Sequence, residues 1–176
     1  MKVGLNVGSG QRPFPNAGEV KWFNVDKVVH EGMPAPDLVC DGAHLPHSDG
    51  SVDYVVLHHV LEHFGCGESD GLLKEAHRVL RPNGSLLIFV PDMRAVGGRW
   101  LGGQMDTQVY MTCVYGAYMG HEEDRHKWGF DTDLLYAAIQ RAGRWEVKWF
   151  DWREVPGLDA ARDWWVLALE AVKCPT

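Results

Sequence analysis

The sequence predicts an α/β domain built on a mostly parallel sheet, and three observations carry that prediction. Two apolar runs, residues 51–58 and 85–90, are nearly continuous, as expected of central strands covered on both faces. A helical periodicity of apolar residues lies between them, over residues 68–80. The length of 176 residues and the apolar content of 45% suit one globular domain, residues 1–176. Alternation of strands and helices in this way is typical of a parallel sheet with helices on its faces.

The first strand is predicted at residues 3–7, and it leads directly into Gly8, Ser9 and Gly10. Glycine tolerates positive φ and leaves no Cβ in the way of a ligand, so we expect a tight turn there. In an open α/β sheet, ligands bind beyond the carboxyl ends of the strands, where such turns lie. A single G-x-G after a strand is a weak signal, because many turns resemble it.

The first crossover is predicted to lack a full helix. Pro13 and Pro15 follow the glycine turn, and each proline removes a backbone donor and pushes its predecessor toward extended geometry. The second strand is predicted at residues 20–25 and is closed by Asp26. A carboxylate there can accept two hydrogen bonds from a ribose diol. An aspartate that only caps a strand end or a turn is the alternative.

The next two strands also end in polar residues. A brief third strand, residues 37–41, ends at Asp41 and is followed by a turn that begins with Gly42. His58 ends the fourth strand, and His59 follows it. We expect these residues on the ligand side of the sheet, because the carboxyl ends of parallel strands meet at one edge.

The elements after the fourth strand are a helix at residues 68–80, a Pro-Asn-Gly stop at 82–84 and a fifth strand at 85–90. Two antiparallel strands, residues 145–152 and 163–172 with a Pro156-Gly157 connection, complete the predicted seven-stranded sheet.

A second helix is predicted to begin after an Asp131 N-cap, with Phe130 packed on Leu135 as a hydrophobic staple, and to end near Ala142. Between the fifth strand and this helix, over residues 93–120, the regular patterning fails. Glycine-broken, methionine-rich chain is adaptable, so residues 93–127 are predicted to form a substrate-side insertion or lid. A poorly ordered loop is the alternative.

The composition favours a soluble cytoplasmic protein without a nucleic-acid or membrane partner. The net charge of −7 gives no reason to expect a nucleic-acid partner. No apolar run approaches the roughly 18 residues of a membrane span, and no signal peptide precedes the first strand. The four cysteines are scattered without zinc-site spacing. The eight tryptophans suit a core, a substrate platform or a homodimer face, and composition does not choose among these.

Histidines crowd the end of the fourth strand. His59 and His63, at i and i+4, could share a helical face and bind zinc with Glu62 nearby. The order is not H-E-x-x-H, however, and no third ligand is identifiable. No metal site is therefore predicted.

Four stretches within residues 2–92 have the order and spacing of one family's motifs. They are LNVGSG, Asp26, CDGAHLPHSDGSVDYVV, and HHVLEHF followed by EAHRVLRPNGSLLIFVPD. Together they resemble class I S-adenosylmethionine-dependent methyltransferases, of the small methyltransferase type 11 group. The later stretch HKWGFDTDLLYAAIQRAG is similar to the tail of small-molecule and glycan-associated members.

The resemblance implies a Rossmann-like fold, a seven-stranded mostly parallel sheet with an antiparallel last strand, and S-adenosyl-L-methionine as cofactor. By this resemblance, Asp26 would contact the ribose of the cofactor. Asp41 and the residues that follow it would contact the adenine. Asn6 stands where members usually have an acidic residue, so the contact to the methionyl ammonium is expected to be weaker. The residues implied in cofactor binding are Asn6, Gly8, Ser9, Gly10, Asp26, Asp41, Gly42, Ala43, His58 and His59.

The resemblance predicts methyl transfer to a small molecule, for example a saccharide or other metabolite. An oxygen or nitrogen acceptor can require a base, and His63 and His126 are the candidates because histidine titrates near neutrality. His63 could instead only orient its segment, and His126 could be a solvated surface residue. A non-catalytic cofactor-binding scaffold or partner subunit is the alternative function. A nicotinamide oxidoreductase is disfavoured, because Arg12 replaces the third glycine and no helix N-terminus would hold a pyrophosphate.

Overall fold

The computed structural model describes residues 1–16, 18–29, 31–117, 121–149 and 165–175. The strands are β1 Lys2–Val7, β2 Val20–Asp26, β3 Leu38–Val39, β4 Val52–His58, β5 Leu80–Pro91, β6 Trp145–Trp149 and β7 Val166–Lys173. The helices are α1 Ser69–Val79, α2 Met93–Leu101, α3 Thr107–Tyr115 and α4 Thr132–Ala142, with short 3₁₀ helices at Leu61–His63 and Glu122–Asp124. None of the described helices is long and apolar enough to cross a membrane.

The strands form one seven-stranded sheet in the order β3-β2-β1-β4-β5-β7-β6. The first five strands pair in parallel, and β7 runs antiparallel to both β5 and β6. The predicted α/β fold, with a mostly parallel sheet and an antiparallel last strand, is confirmed. Strand order reverses at β1 and β4, and that reversal places the carboxyl ends of β1, β2 and β4 around a common crevice.

One face of the sheet carries the main core. α1 and α4 pack there, and their buried residues share a cluster with Leu5, Val55 and Leu57 of the central strands. On the opposite face the buried cluster of described residues is small and comprises Val56, Phe89 and Ala168. The two faces are therefore unequally covered in the described part of the chain.

A loop replaces the first crossover helix, as predicted from the prolines. The described residues between β1 and β2 form no helix, and Phe14 from this loop packs edge-on against Trp22, with 5.0 Å between ring centroids. Buried Asn24 accepts a hydrogen bond from the Phe14 amide at 2.7 Å and donates to the Phe14 carbonyl at 3.1 Å. Buried Asn6 donates to the Arg12 carbonyl at 3.0 Å. The side chains of Asn6 and Asn24 thus fix the position of this loop by hydrogen bonds, in place of the packing that a crossover helix would provide.

The prediction of irregular chain over residues 93–120 was wrong, because that stretch contains α2 and α3. Each helix begins after an aspartate N-cap. The many glycines in this stretch had led us to expect no regular structure there. The Asp92 carboxylate accepts from the amides of Arg94 and Ala95, and that of Asp106 accepts from the Gln108 amide. Residues 118–120 lie outside the described part of the chain.

The predicted start of α4 is confirmed. Asp131 caps the helix by accepting a hydrogen bond from the Leu134 amide at 2.9 Å. Phe130 and Leu135 are both buried in the main core cluster. β5 begins at Leu80, earlier than predicted, because Leu80 already pairs with Val52 before the register shifts. The predicted Pro156-Gly157 connection lies outside the described residues.

Candidate functional site

A cleft of about 750 Å³ lies at the edge of the sheet where β1, β2 and β4 end. This volume is within the roughly 300–1,000 Å³ typical of small-molecule sites. Every predicted cofactor residue except Ala43 lines it, and so do both predicted catalytic histidines. These lining residues are Asn6, Gly8, Ser9, Gly10, Asp26, Asp41, Gly42, His58, His59, His63 and His126. The Ala43 amide instead donates to the Asp41 carboxylate at 2.9 Å.

The glycine turn after β1 has the left-handed geometry that its residues predict. Gly8 and Gly10 have φ values of 69° and 46°. The amides of Gly8 and Ser9 both donate to the Val25 carbonyl, at 2.8 and 3.0 Å, which ties the turn to β2. A Cβ on Gly8 would lie 2.6 Å from a methyl group of Val60, so the site requires glycine there for packing as well as for φ.

Asp26 lines the cleft, and both of its carboxylate oxygens accept hydrogen bonds from backbone amides. One carboxylate oxygen accepts from the Gly10 amide at 2.7 Å, and the other accepts from the Val28 amide at 2.9 Å. The aspartate therefore fixes both the glycine turn and the chain after β2. Each carboxylate oxygen keeps further acceptor capacity, so the predicted ribose contact is compatible with this arrangement and stays a prediction.

Asn6 is buried, with 1% of its surface exposed, and it borders the cleft. Its side-chain amide nitrogen donates to the Arg12 carbonyl and to the Asn24 side chain, both at 3.0 Å. Both amide protons are thereby used, and the side-chain oxygen takes no hydrogen bond from the described residues. Asn6 can thus offer a neutral acceptor to the cleft.

His58 lies at the end of β4 as an uncharged ring. Burial, together with nearby His59 and Arg12, lowers the pKa of His58 to about 3. The ring contacts Phe89, with 5.3 Å between ring centroids. At neutral pH, His58 therefore presents a polar but uncharged wall to the cleft.

His59 adopts a left-handed backbone conformation, with φ 56°. This conformation is uncommon outside glycine and costs of order 1 kcal/mol or more. In it, the His59 ring nitrogen Nδ1 lies 2.8 Å from Oε1 of Glu62. The ring also packs near Trp165, at 5.3 Å between ring centroids. Strained backbone at the carboxyl end of a central strand is typical of a functional position.

Glu62 was not among the predicted catalytic or cofactor residues, yet it is the most buried acid near the cleft. Its side chain is 1% exposed. Burial alone would raise the pKa of Glu62, but the His59 hydrogen bond and the neighbouring His63 and His126 outweigh it and lower the pKa. Glu62 is therefore ionised at neutral pH. Its burial could have been suspected only from its position directly after a strand end.

His63 and His126 come together although they are distant in sequence. Their ring centroids are 5.0 Å apart, with the rings nearly perpendicular. The Glu62 carbonyl accepts from the amides of Lys127 and Trp128 at 2.7 and 3.1 Å, which docks the segment carrying His126 against the 3₁₀ helix. Burial lowers the pKa of His126 and keeps its ring neutral near pH 7. The catalytic role of both histidines stays a prediction.

The rim opposite the glycine turn comes from α3 and the 3₁₀ helix after it. Thr112 and Cys113 line the cleft there, and Lys27 forms an ion pair of 3.8 Å with Glu123 from the other side. None of these residues belongs to a recognisable sequence motif. Only the fold brings them to the site.

A family model described as "Methyltransferase domain" matches residues 5–88. The match contains the glycine turn, Asp26 and the histidine-bearing end of β4. The matched residues make up slightly less than half of the chain, and over them the chain is similar to methyltransferase domains. The match ends before α2, so the part of the chain that carries His126 lies outside it.

Solved structures share the fold of this chain. A possible histamine N-methyltransferase from Thermotoga maritima is 19% identical, with a TM-score of 0.60 over 97% of this chain and 81% of that one. A methyltransferase from Methanosarcina mazei is 15% identical, with a TM-score of 0.58 over 99% and 93%. A chain of the Haloferax volcanii complex between the Trm112 methyltransferase activator and a putative methyltransferase is 16% identical, with a TM-score of 0.59 over 99% and 83%. Among curated proteins, no sequence matches.

Proposed function

We propose that this protein is a methyltransferase that binds S-adenosylmethionine in the cleft and transfers its methyl group to a small-molecule acceptor. One observation carries the proposal: the glycine turn and Asp26 lie on adjacent strand ends and share a direct hydrogen bond, from the Gly10 amide to the carboxylate at 2.7 Å. A family that uses this cofactor has its landmarks at the same positions. The cleft joins them to two histidines from elsewhere in the chain.

The residues present fit the cofactor. A Cβ on Gly10 would meet no atom closer than 3.9 Å, so the glycine leaves an open face toward the cleft. The spare acceptor capacity of Asp26 suits ribose hydroxyls, and the side-chain oxygen of Asn6 suits an ammonium group. Asp41 and Gly42 line the end of the cleft that the family resemblance implies for adenine. When bound, the cofactor supplies an electrophilic methyl group on a sulfonium.

The acceptor would bind between the glycine turn and the histidine pair. Holding acceptor and methyl donor in line can supply several kcal/mol of the rate enhancement, up to ~7–11 kcal/mol in ideal cases. His63 and His126 face the same space, and a neutral imidazole there can take a proton from an acceptor hydroxyl or amine. Acidic side chains outnumber basic ones in the lining of the cleft, which favours a hydroxyl-rich or cationic acceptor over a polyanion. The acidic residues are Asp26, Asp41, Glu68, Glu123 and Asp124, and the basic ones are Arg12, Lys27 and Lys127. A saccharide or another small polar metabolite satisfies this chemistry.

Calorimetric titration of wild-type protein and of Asp26→Ala tests the cofactor proposal. We expect micromolar binding of S-adenosylmethionine and S-adenosylhomocysteine and none of NAD. Asp26→Ala is expected to weaken binding by one to two powers of ten, about 1.4–2.8 kcal/mol, because the ribose hydroxyls lose their acceptor and the glycine turn loses its anchor.

Asp53→Ala is the matched control. Like Asp26, Asp53 accepts a hydrogen bond from a backbone amide, but from that of Val3 at 2.7 Å, at the amino end of β1 rather than in the turn that follows it. Loss of the Asp53 carboxylate should destabilise the sheet at the amino end of β1 and leave cofactor affinity unchanged. Equal affinities of Asp26→Ala and wild type would refute the assigned role, and failure of the wild type to bind either compound would refute the proposed function.

A further inference from the structure

We propose that Glu62, His63 and His126 form a site for one divalent transition-metal ion of the zinc class on the wall of the cleft. One oxygen of the Glu62 carboxylate and one nitrogen of each imidazole lie within 4.8 Å of one another. Ligands that share a zinc ion at ~2.0–2.2 Å stand about 3–4 Å apart, so small side-chain rotations would close the set. Two imidazoles and one carboxylate are the protein ligands that open transition-metal sites commonly use.

Both histidines are held with a lone pair available for a metal. His63 Nδ1 lies 3.2 Å from the Arg125 carbonyl oxygen, and His126 Nδ1 lies 2.9 Å from that of Cys113. A carbonyl oxygen can only accept, so Nδ1 donates in each case and the neutral ring carries its lone pair on Nε2. Hydrogen bonds of this kind fix the tautomer and orientation of metal-binding histidines.

Glu62 provides an independent indication that a ligand belongs here. Its Oε1 accepts a hydrogen bond from His59, whereas Oε2 is buried and has no hydrogen-bond partner among the described residues. A buried acceptor without a partner costs about 1–3 kcal/mol, and more when it is charged. A cation between the carboxylate and the two Nε2 atoms would remove that cost.

The sequence pattern suggested a different metal set, with His59 and His63 on one helical face. In the structure, His59 orients Glu62 through its 2.8 Å hydrogen bond, and the remaining ligand is His126 from the segment after α3. A histidine–carboxylate contact of this kind orients and tunes a metal-binding carboxylate.

Three protein ligands leave coordination positions open, and His63 and His126 both line the cleft. With a metal ion bound, the histidines would act on an acceptor oxygen through the ion rather than as bases. That last step rests on the proposed methyl transfer, whereas the metal site does not. Metal binding can be measured without any cofactor, so the two proposals can fail separately.

Titration of chelator-treated protein with Co²⁺, followed by visible absorption, and with Zn²⁺, followed by calorimetry, tests the site. We expect one equivalent of each metal to bind. His63→Ala and His126→Ala should each weaken binding by at least about 100-fold, because losing a ligand exceeds the ~10–100-fold effect of losing an outer-shell partner. Glu62→Gln should weaken it similarly while keeping the side-chain shape.

His44→Ala is the control for histidine content, because His44 is exposed and lies outside the cleft lining. Its metal affinity should equal that of the wild type. Thermal unfolding with chelator present establishes that each variant is folded before titration. Absence of saturable one-equivalent binding by the wild type would overturn the proposal. So would equal metal affinity in wild type and in folded His63→Ala and His126→Ala.

Discussion

At the residue scale, the cleft is built from ionisable side chains whose charge state is set by burial. His58 has its pKa lowered to about 3, chiefly by burial. Glu62 is buried more completely than His58, yet its pKa is lowered because His59 and two further histidines surround it. Uncharged and charged groups therefore lie side by side, which gives the cleft a fixed electrostatic pattern at neutral pH.

Burial of His58 makes the protein sensitive to acid. In the unfolded chain, His58 titrates near its ordinary pKa of 6.5, whereas in the folded chain its pKa is about 3. Between these values the unfolded chain binds a proton that the folded chain does not, so stability falls as the pH drops below about 6.5. From 1.36 kcal/mol per pH unit, the loss due to His58 between pH 6.5 and 5 is about 2 kcal/mol.

Urea unfolding of wild type and His58→Gln at pH 7 and pH 5, with chelator present, measures this contribution. Other partly buried histidines, such as His77 and His126, act in the same direction, so the comparison between the two proteins isolates His58. We expect His58→Gln to lose less stability on acidification than the wild type. Parallel losses in both proteins would contradict the assigned neutral state.

At the element scale, two buried asparagines take over the packing role of the missing first crossover helix. Asn24 binds both the amide and the carbonyl of Phe14 and also the Asn6 side chain, so one residue connects β2, the loop and β1. Because Asn6 borders the cleft, this network also supports the proposed cofactor side of the site. The loop is thus a specific structure that carries its own hydrogen bonds.

Asn24→Ala is expected to destabilise the protein by about 1–3 kcal/mol, because it leaves buried polar groups of the loop unpaired. Urea unfolding at neutral pH measures the effect. Asn16→Ala is the matched control, since Asn16 accepts a hydrogen bond from the Trp22 amide at 2.7 Å but is exposed. It should cost less than about 1 kcal/mol, because water can replace the lost bond. Equal destabilisation by the two variants would show that the loop network has no special role.

At the scale of the whole molecule, the sequence predicts those parts whose signal is local. Apolar runs identify the central strands, prolines show that the first crossover lacks a helix, and the strand ends identify residues that line the cleft. α2 and α3 were missed, because their glycines and methionines hide two short helices that aspartate N-caps start. The grouping of His126 with Glu62 could not be predicted either, since it depends on how the segment after α3 docks on the 3₁₀ helix.

The features that have a local sequence signal and those that depend on the fold lie in different parts of the cleft. Most of what local patterns predict lies within residues 5–88, which the family model matches, and these residues include the proposed cofactor side of the cleft. The proposed acceptor side comes from α3 and the segment that follows it, which lie beyond the match. We therefore expect acceptor specificity to depend on α3 and residues 121–127 more than on the sheet.

A crystal structure of the protein grown with S-adenosylhomocysteine tests whether the cleft is the cofactor site. We expect the compound in the cleft, with ribose hydroxyls within about 3.2 Å of the Asp26 carboxylate. The glycine turn would keep its hydrogen bond from Gly10 to Asp26, and the thioether sulfur would face the histidine pair. Density for the compound elsewhere on the protein, or in the cleft with the ribose turned away from Asp26, would contradict it.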